Sequence, residues 1–300
     1  MMISKKLEVL YQKLLSENTK KEIENIILII AIVSFIIHLA VIFLVDFGII
    51  NLNIQSDLFK NPIAAIYTPF SFILVYEVYL LIFYLPKSFT IYIGKQYEII
   101  TLIIIRRLYK DLSTLTLSSD WFKIKYDLQF TYDLIASVLL FFLIYLFSRN
   151  SKKSYYAEIP GQLLIKSTTN FIKIKKLIAI SLVPLLFIVA SYSFFNWTLN
   201  TLNVNTNNIV SFKDINNIFF EQFFTILIIA DVILLLFSFF QTDKFHKVIR
   251  NSGFIISTIL IRISFSVSGS LNTLLIISAI IFGLLILIIH NKFDELPVHE

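Results

Sequence analysis

Residues 26–45 read IILIIAIVSFIIHLAVIFLV, a run interrupted only by His38. A helix rising 1.5 Å per residue needs about 20 apolar residues to cross a bilayer core about 30 Å thick, so this segment is expected to span. It is too long and too far from the start for a cleaved leader, and no small-residue cleavage site follows it. The rest of the chain has the same character. Of its 300 residues 57% are hydrophobic and 15% charged, and mean hydropathy is +0.80; soluble domains carry about 25% charged residues. Further apolar runs occupy 63–85, 89–106, 132–148, 176–197, 219–240, 252–267 and 271–290. The expectation is an all-α integral membrane protein with eight transmembrane helices. The run at 89–106 is the weakest, because Lys95 and Glu98 lie in it.

Orientation follows from the basic residues. With the amino terminus inside, the cytoplasmic segments 1–25, 86–97, 148–176, 241–252 and 291–300 hold 18 Lys and Arg, against six in the outer loops. The positive-inside rule then places both termini in the cytoplasm. The loop 107–131 resists this pattern with four positive charges outside, and its alternation TLTLSSDWFKIKYDLQF suggests a short hairpin. In the first 25 residues Ile3, Leu7, Leu10 and Leu14 recur at helical spacing beside Lys5, Lys6 and Lys13. That suits either an amphipathic helix on anionic lipid or a short soluble helix leading into the membrane.

An internal repeat organises the spans. IITLIIIR at 99–106 matches IISTILIR at 255–262 at five of eight positions, and each ends in Arg; upstream, EVYLLIF at 77–83 matches DVILLLF at 231–237. A weaker correspondence sets Asp133 against Asn272 near the starts of the two final spans. Four spans per copy is an even number, so the copies share one orientation. The expected architecture is two tandem parallel four-helix bundles, 26–148 and 172–291. They are preceded by a cytoplasmic amphipathic segment (1–25), joined by a basic cytoplasmic linker (149–171) and followed by a cytoplasmic tail (292–300).

The order of features in 219–290 resembles the phosphate-starvation-inducible PsiE-like membrane proteins: Asp231 in a span, a basic connector with His246, Lys247 and Arg250, IISTILIR ending in Arg262, then a polar turn and a long aliphatic span. The first half shares the resemblance only through the repeat. Where the pattern has an acid opening the last helix, the second copy has Asn272 and the first has Asp133. The resemblance implies a four-helix inner-membrane unit linked to stress or phosphate limitation.

Ionisable groups inside spans cost about 2.5–3.5 kcal/mol each on insertion scales, so their recurrence needs a reason. Counting along the helices places Glu77 level with Arg106 and Asp231 level with Arg262, and two intramembrane charge pairs are expected. Each pair either glues its bundle and sets helix register or lines a polar path for an ion or small solute. His38, Asp133 and Asn272 are candidates to extend such a path. Glu98 is expected to snorkel or to pair with Lys95.

No HExxH, CxxC, Walker A or GxGxxG string occurs, and with no Cys there is no thiol chemistry or thiolate metal site. SVSGS at 266–270 is separated from His290 by about 30 Å of helical rise, too far for a dyad. Asn196-Trp197-Thr198 fits a glycosylation sequon, which matters only in a eukaryotic secretory pathway. The expectation is therefore a non-enzyme with no cofactor and no metal. Its partners are the lipid bilayer and anionic lipid at the basic cytoplasmic segments, with a homo-oligomer compatible. No nucleic-acid partner is expected, because the basic residues flank apolar runs. Two functions compete: passage or sensing of ions or small solutes, and a non-transporting membrane stress factor, scaffold or effector.

Overall fold

A computed structural model describes residues 2–49, 62–112, 125–157, 166–202, 212–240, 244–267 and 269–296. Every regular element among them is helical. The elements are α1 (Met2–Leu14), α2 (Glu17–Asp46), a 3-10 turn (Pro62–Ile66), α3 (Tyr67–Tyr84), α4 (Phe89–Leu112), α5 (Lys125–Ala157), α6 (Lys166–Leu202), α7 (Phe212–Phe239), α8 (Phe245–Ser264) and α9 (Ser270–Asp294). Each apolar run of the sequence falls on one helix from α2 to α9. Among the described residues five stretches are long and apolar enough to cross a membrane: Lys6–Asp46, Leu128–Ser151, Asn170–Tyr192, Gln222–Phe239 and Ser270–Asp294. Thr68–Tyr84 is apolar but shorter. α4 and α8 fall outside this set because their charges are spread so that no 18-residue stretch of either holds fewer than three. The hairpin suggested within 107–131 falls largely on residues outside those described, and Lys125–Phe130 belongs to α5.

Burial explains why polar residues concentrate on α4 and α8. On α2 only Ala31 and Ile42 are buried, while Ile26, Leu28, Ile29, Ile32, Ile36 and Ile37 are exposed. Such a surface suits lipid tails or another apolar surface rather than water. α8, by contrast, buries Arg250, Asn251, Ser257, Thr258 and Ser264 among its apolar residues, and α4 buries Thr90, Gln96, Thr101 and Arg106. A helix sheltered by protein can satisfy polar side chains; one facing hydrocarbon cannot.

Two compact units partition the chain. One comprises Met1–Phe83, Ile105–Phe130 and Ile180–Phe223; the other comprises Tyr84–Ile104, Thr131–Ala179 and Phe224–Glu300. Each draws on both 26–148 and 172–291, so the repeat describes the sequence and the units describe the packing. In the first unit Ser16 breaks α1 from α2 and caps the latter, accepting from the Thr19 amide at 3.1 Å. Leu15 is buried there and the Tyr79 hydroxyl donates to the Leu14 carbonyl at 2.9 Å.

The second unit is built around the α8–α9 hairpin. Its turn is closed by Gly269 at φ 79°, a conformation that favours glycine. Asn272 donates to the Ser264 carbonyl at 2.6 Å, satisfying one of the carbonyls left open at the end of α8. Tyr97 of α4 packs on this hairpin, its hydroxyl 2.7 Å from Ser257 Oγ, and Ser257 in turn donates to the Ala279 carbonyl at 2.7 Å. Because Ser257 has one proton to give, Tyr97 is the donor in its own bond. Close approach requires Gly283 of α9, since a Cβ there would run into the Tyr97 hydroxyl.

Candidate functional site

Glu77 and Arg106 meet in the first unit. Arg106 Nη2 forms an ion pair with Glu77 Oε2, and Nη1 donates to the Phe70 carbonyl at 3.3 Å. Both are buried, Glu77 at 4% exposure and Arg106 at 9%. A guanidinium is suited to this double duty because its planar fork offers several donors. In the same unit His38 Nδ1 lies 2.5 Å from Thr68 Oγ1, and the Tyr76 hydroxyl donates to Glu24 at 2.8 Å.

Asp231 and Arg262 do not meet, which corrects the second expected pair. Asp231, 1% exposed, accepts instead from the Tyr92 hydroxyl at 2.8 Å and from Gln96 Nε2 at 3.2 Å. Arg262 is only partly buried and donates to Thr225 Oγ1 at 3.4 Å. The helical positions of the two arginines are equivalent, for each lies seventeen residues beyond the first residue of its helix, Phe89 or Phe245. Arg262 lies against Thr225, six residues before Asp231 and about 9 Å from it along α7. Two neutral donors spaced i, i+4 on α4 occupy the carboxylate in place of the arginine.

The remaining candidate residues bond elsewhere. Asp133 of α5 accepts from the Thr273 hydroxyl at 2.6 Å, and Asn272 serves the α8 terminus. The hydrogen bonds of His38, Asp133 and Asn272 described here go to different partners, Thr68, Thr273 and the Ser264 carbonyl. Lys95 and Glu98 form an ion pair at 2.6 Å. Lys175, absent from the sequence-derived candidates, is buried: its ammonium donates to the Lys87 carbonyl at 2.8 Å and lies 4.5 and 4.9 Å from the ring centroids of Phe89 and Phe171. It also attracts Asp231 through space.

No protein-family model matches the chain, and neither a curated protein nor a solved structure is found similar to it. Function rests on the geometry alone.

That geometry distinguishes two carboxylates at repeat-equivalent positions. Glu77 is locked to a permanent cation. Asp231 is held by a phenol and a carboxamide, neither of which carries charge at neutral pH. Tyr92 and Gln96 were absent from the sequence-derived candidates; Gln96, a polar residue within an apolar run, was the one legible signal.

Proposed function

We propose that this membrane protein spans the bilayer eight times with both termini cytoplasmic, and that Asp231 is its exchangeable site, taking up and releasing a proton or small cation during passage or sensing of ions. The observation that carries this reading is the partner set of Asp231. A carboxylate retained at membrane depth without a directly bonded counter-ion bears a solvation cost that structure alone does not recover. Tyr92 and Gln96 donate to it without bringing a counter-charge. Glu77, clamped by Arg106, is the structural member of the repeat.

Proteoliposomes loaded with a pH-sensitive dye test this reading. Wild-type protein should dissipate an imposed proton or alkali-cation gradient, and Asp231→Asn should remain folded in detergent while losing the flux. A wild-type protein that passes neither protons nor alkali cations, or an Asp231→Asn variant that retains full flux, overturns it.

A second reading is favoured by α1. This helix, continuous with the basic first segment, keeps Val9 and Leu10 exposed while its far end is anchored through Leu15 and Tyr79. A non-transporting stress factor, scaffold or effector that binds anionic lipid through α1 would bind anionic vesicles and show no flux.

A further inference from the structure

Three metal-ligand side chains converge at one end of the α8–α9 hairpin. His246 stands at the start of α8; His290 and Asp294, spaced i, i+4, share one face of the last turns of α9. Asp294 Oδ1 is 2.9 Å from His246 Nε2, and Oδ2 is 3.2 Å from His290 Nε2. The ligand atoms of the three residues all lie within 4.8 Å of one another.

Hydrogen bonding among them does not close. Arg250 Nη1 lies 2.9 Å from His290 Nε2. A guanidinium only donates, so that nitrogen presents its lone pair and the ring proton sits on Nδ1, which is buried without a hydrogen-bond partner. The lone pair then also faces Asp294 Oδ2, acceptor against acceptor. Shifting the proton to Nε2 satisfies Asp294 but sets N–H against N–H at Arg250. No tautomer serves both contacts, although His290 is only 2% exposed and water offers little relief. His246 Nε2 is likewise buried and lacks a well-directed hydrogen bond despite its short distance to the carboxylate.

We propose that His246, His290 and Asp294 form a binding site for a divalent transition-metal ion, Zn²⁺ being the reference case, with Arg250 as the competing occupant of His290 Nε2. Two imidazoles and one carboxylate are a donor set suited to Zn²⁺, Co²⁺ or Ni²⁺. A cation among them replaces the opposition of lone pairs with coordinate bonds. Zn–N distances of about 2.0–2.1 Å require the ligands to draw together, and the fourth position is open to water. Arg250 must leave His290, and its two 3.2 Å bonds to Asn251 Oδ1 give it a place to stay. The site is independent of the reading of Asp231.

The test uses the full chain, purified through a tag without histidine, stripped with chelator and titrated with Zn²⁺ by equilibrium dialysis and with Co²⁺ by visible absorption. The chain has no Cys, so no thiolate contributes to either signal. One ion per chain is expected. Asp294→Asn and His246→Gln, both at the partly exposed rim of the cluster, should each weaken binding by at least about tenfold. Arg250→Met, which removes the competitor, should tighten it. Wild type and Arg250→Met both failing to bind stoichiometrically, or Asp294→Asn and His246→Gln binding as tightly as wild type, overturns the site. Weaker binding by a folded Arg250→Met overturns the competitor role.

Discussion

Replacing Arg106 by Met tests the ion pair most directly, because it removes the guanidinium while approximating its length. The variant leaves the Glu77 carboxylate, at 4% exposure, without its counter-ion. Breaking a buried pair from one side costs about 3–5 kcal/mol, since the surviving charge keeps its desolvation penalty. Glu77→Gln strands Arg106 in the same way, moderated by the Phe70 carbonyl that still accepts from Nη1; about 2–3 kcal/mol is expected. In the double variant no charge remains buried, and the loss should fall to about 1–2 kcal/mol. The coupling free energy is then at least about 3 kcal/mol, well beyond the roughly 0.5 kcal/mol scatter of independent sites. Equilibrium unfolding in mixed micelles, followed by intrinsic fluorescence, measures all four corners of the cycle. A matched cycle with Asp231→Asn and Arg262→Met should be additive, because those side chains have separate partners. Additive losses at 77 and 106, or equal coupling at 231 and 262, would refute the assignment.

Other outcomes follow from the packing and the topology. Gly283→Ala should lower stability by about 1–3 kcal/mol despite alanine's better helix propensity, because the added Cβ meets the Tyr97 hydroxyl; combining it with Tyr97→Phe should recover part of the loss in thermal unfolding. Lys175→Met should cost about 1–3 kcal/mol by the same assay, as the Lys87 carbonyl loses its charged donor and two aromatic faces lose their cation. For the proposed orientation, a cysteine placed at Lys153 should react with a membrane-impermeant maleimide only after the membrane is opened, and labelling from outside in intact cells would reverse the topology.

Much of the helical plan was legible from hydropathy because lipid-facing helices must be apolar wherever hydrocarbon touches them. The runs on α2, α5, α6, α7 and α9 declared themselves for this reason. The weaker signals of α4 and α8 have the opposite cause: these helices shelter Gln96, Arg106, Arg250 and Ser257 against protein, so polar residues dilute the pattern that composition detects. Glu77 with Arg106 was legible as well, through charges recurring in a repeat. Asp231 with Tyr92 was not, for Tyr92 counts among apolar residues until its hydroxyl has an address. In the cluster of His246, His290 and Asp294 only the last two share a local spacing, i, i+4; 44 residues separate the two histidines.

By itself, then, the sequence determined which segments are helical and apolar, and which carry charge where charge is expensive; these properties depend on neighbours within a few turns. Only the tertiary structure decided which charge answers which. A side chain's partner is set by helix rotation and by a reach of a few ångströms, and a competing phenol can redirect it. Thus Arg106 clasps Glu77, while Arg262, at the same position of its own helix, turns to Thr225 and leaves Asp231 to Tyr92 and Gln96.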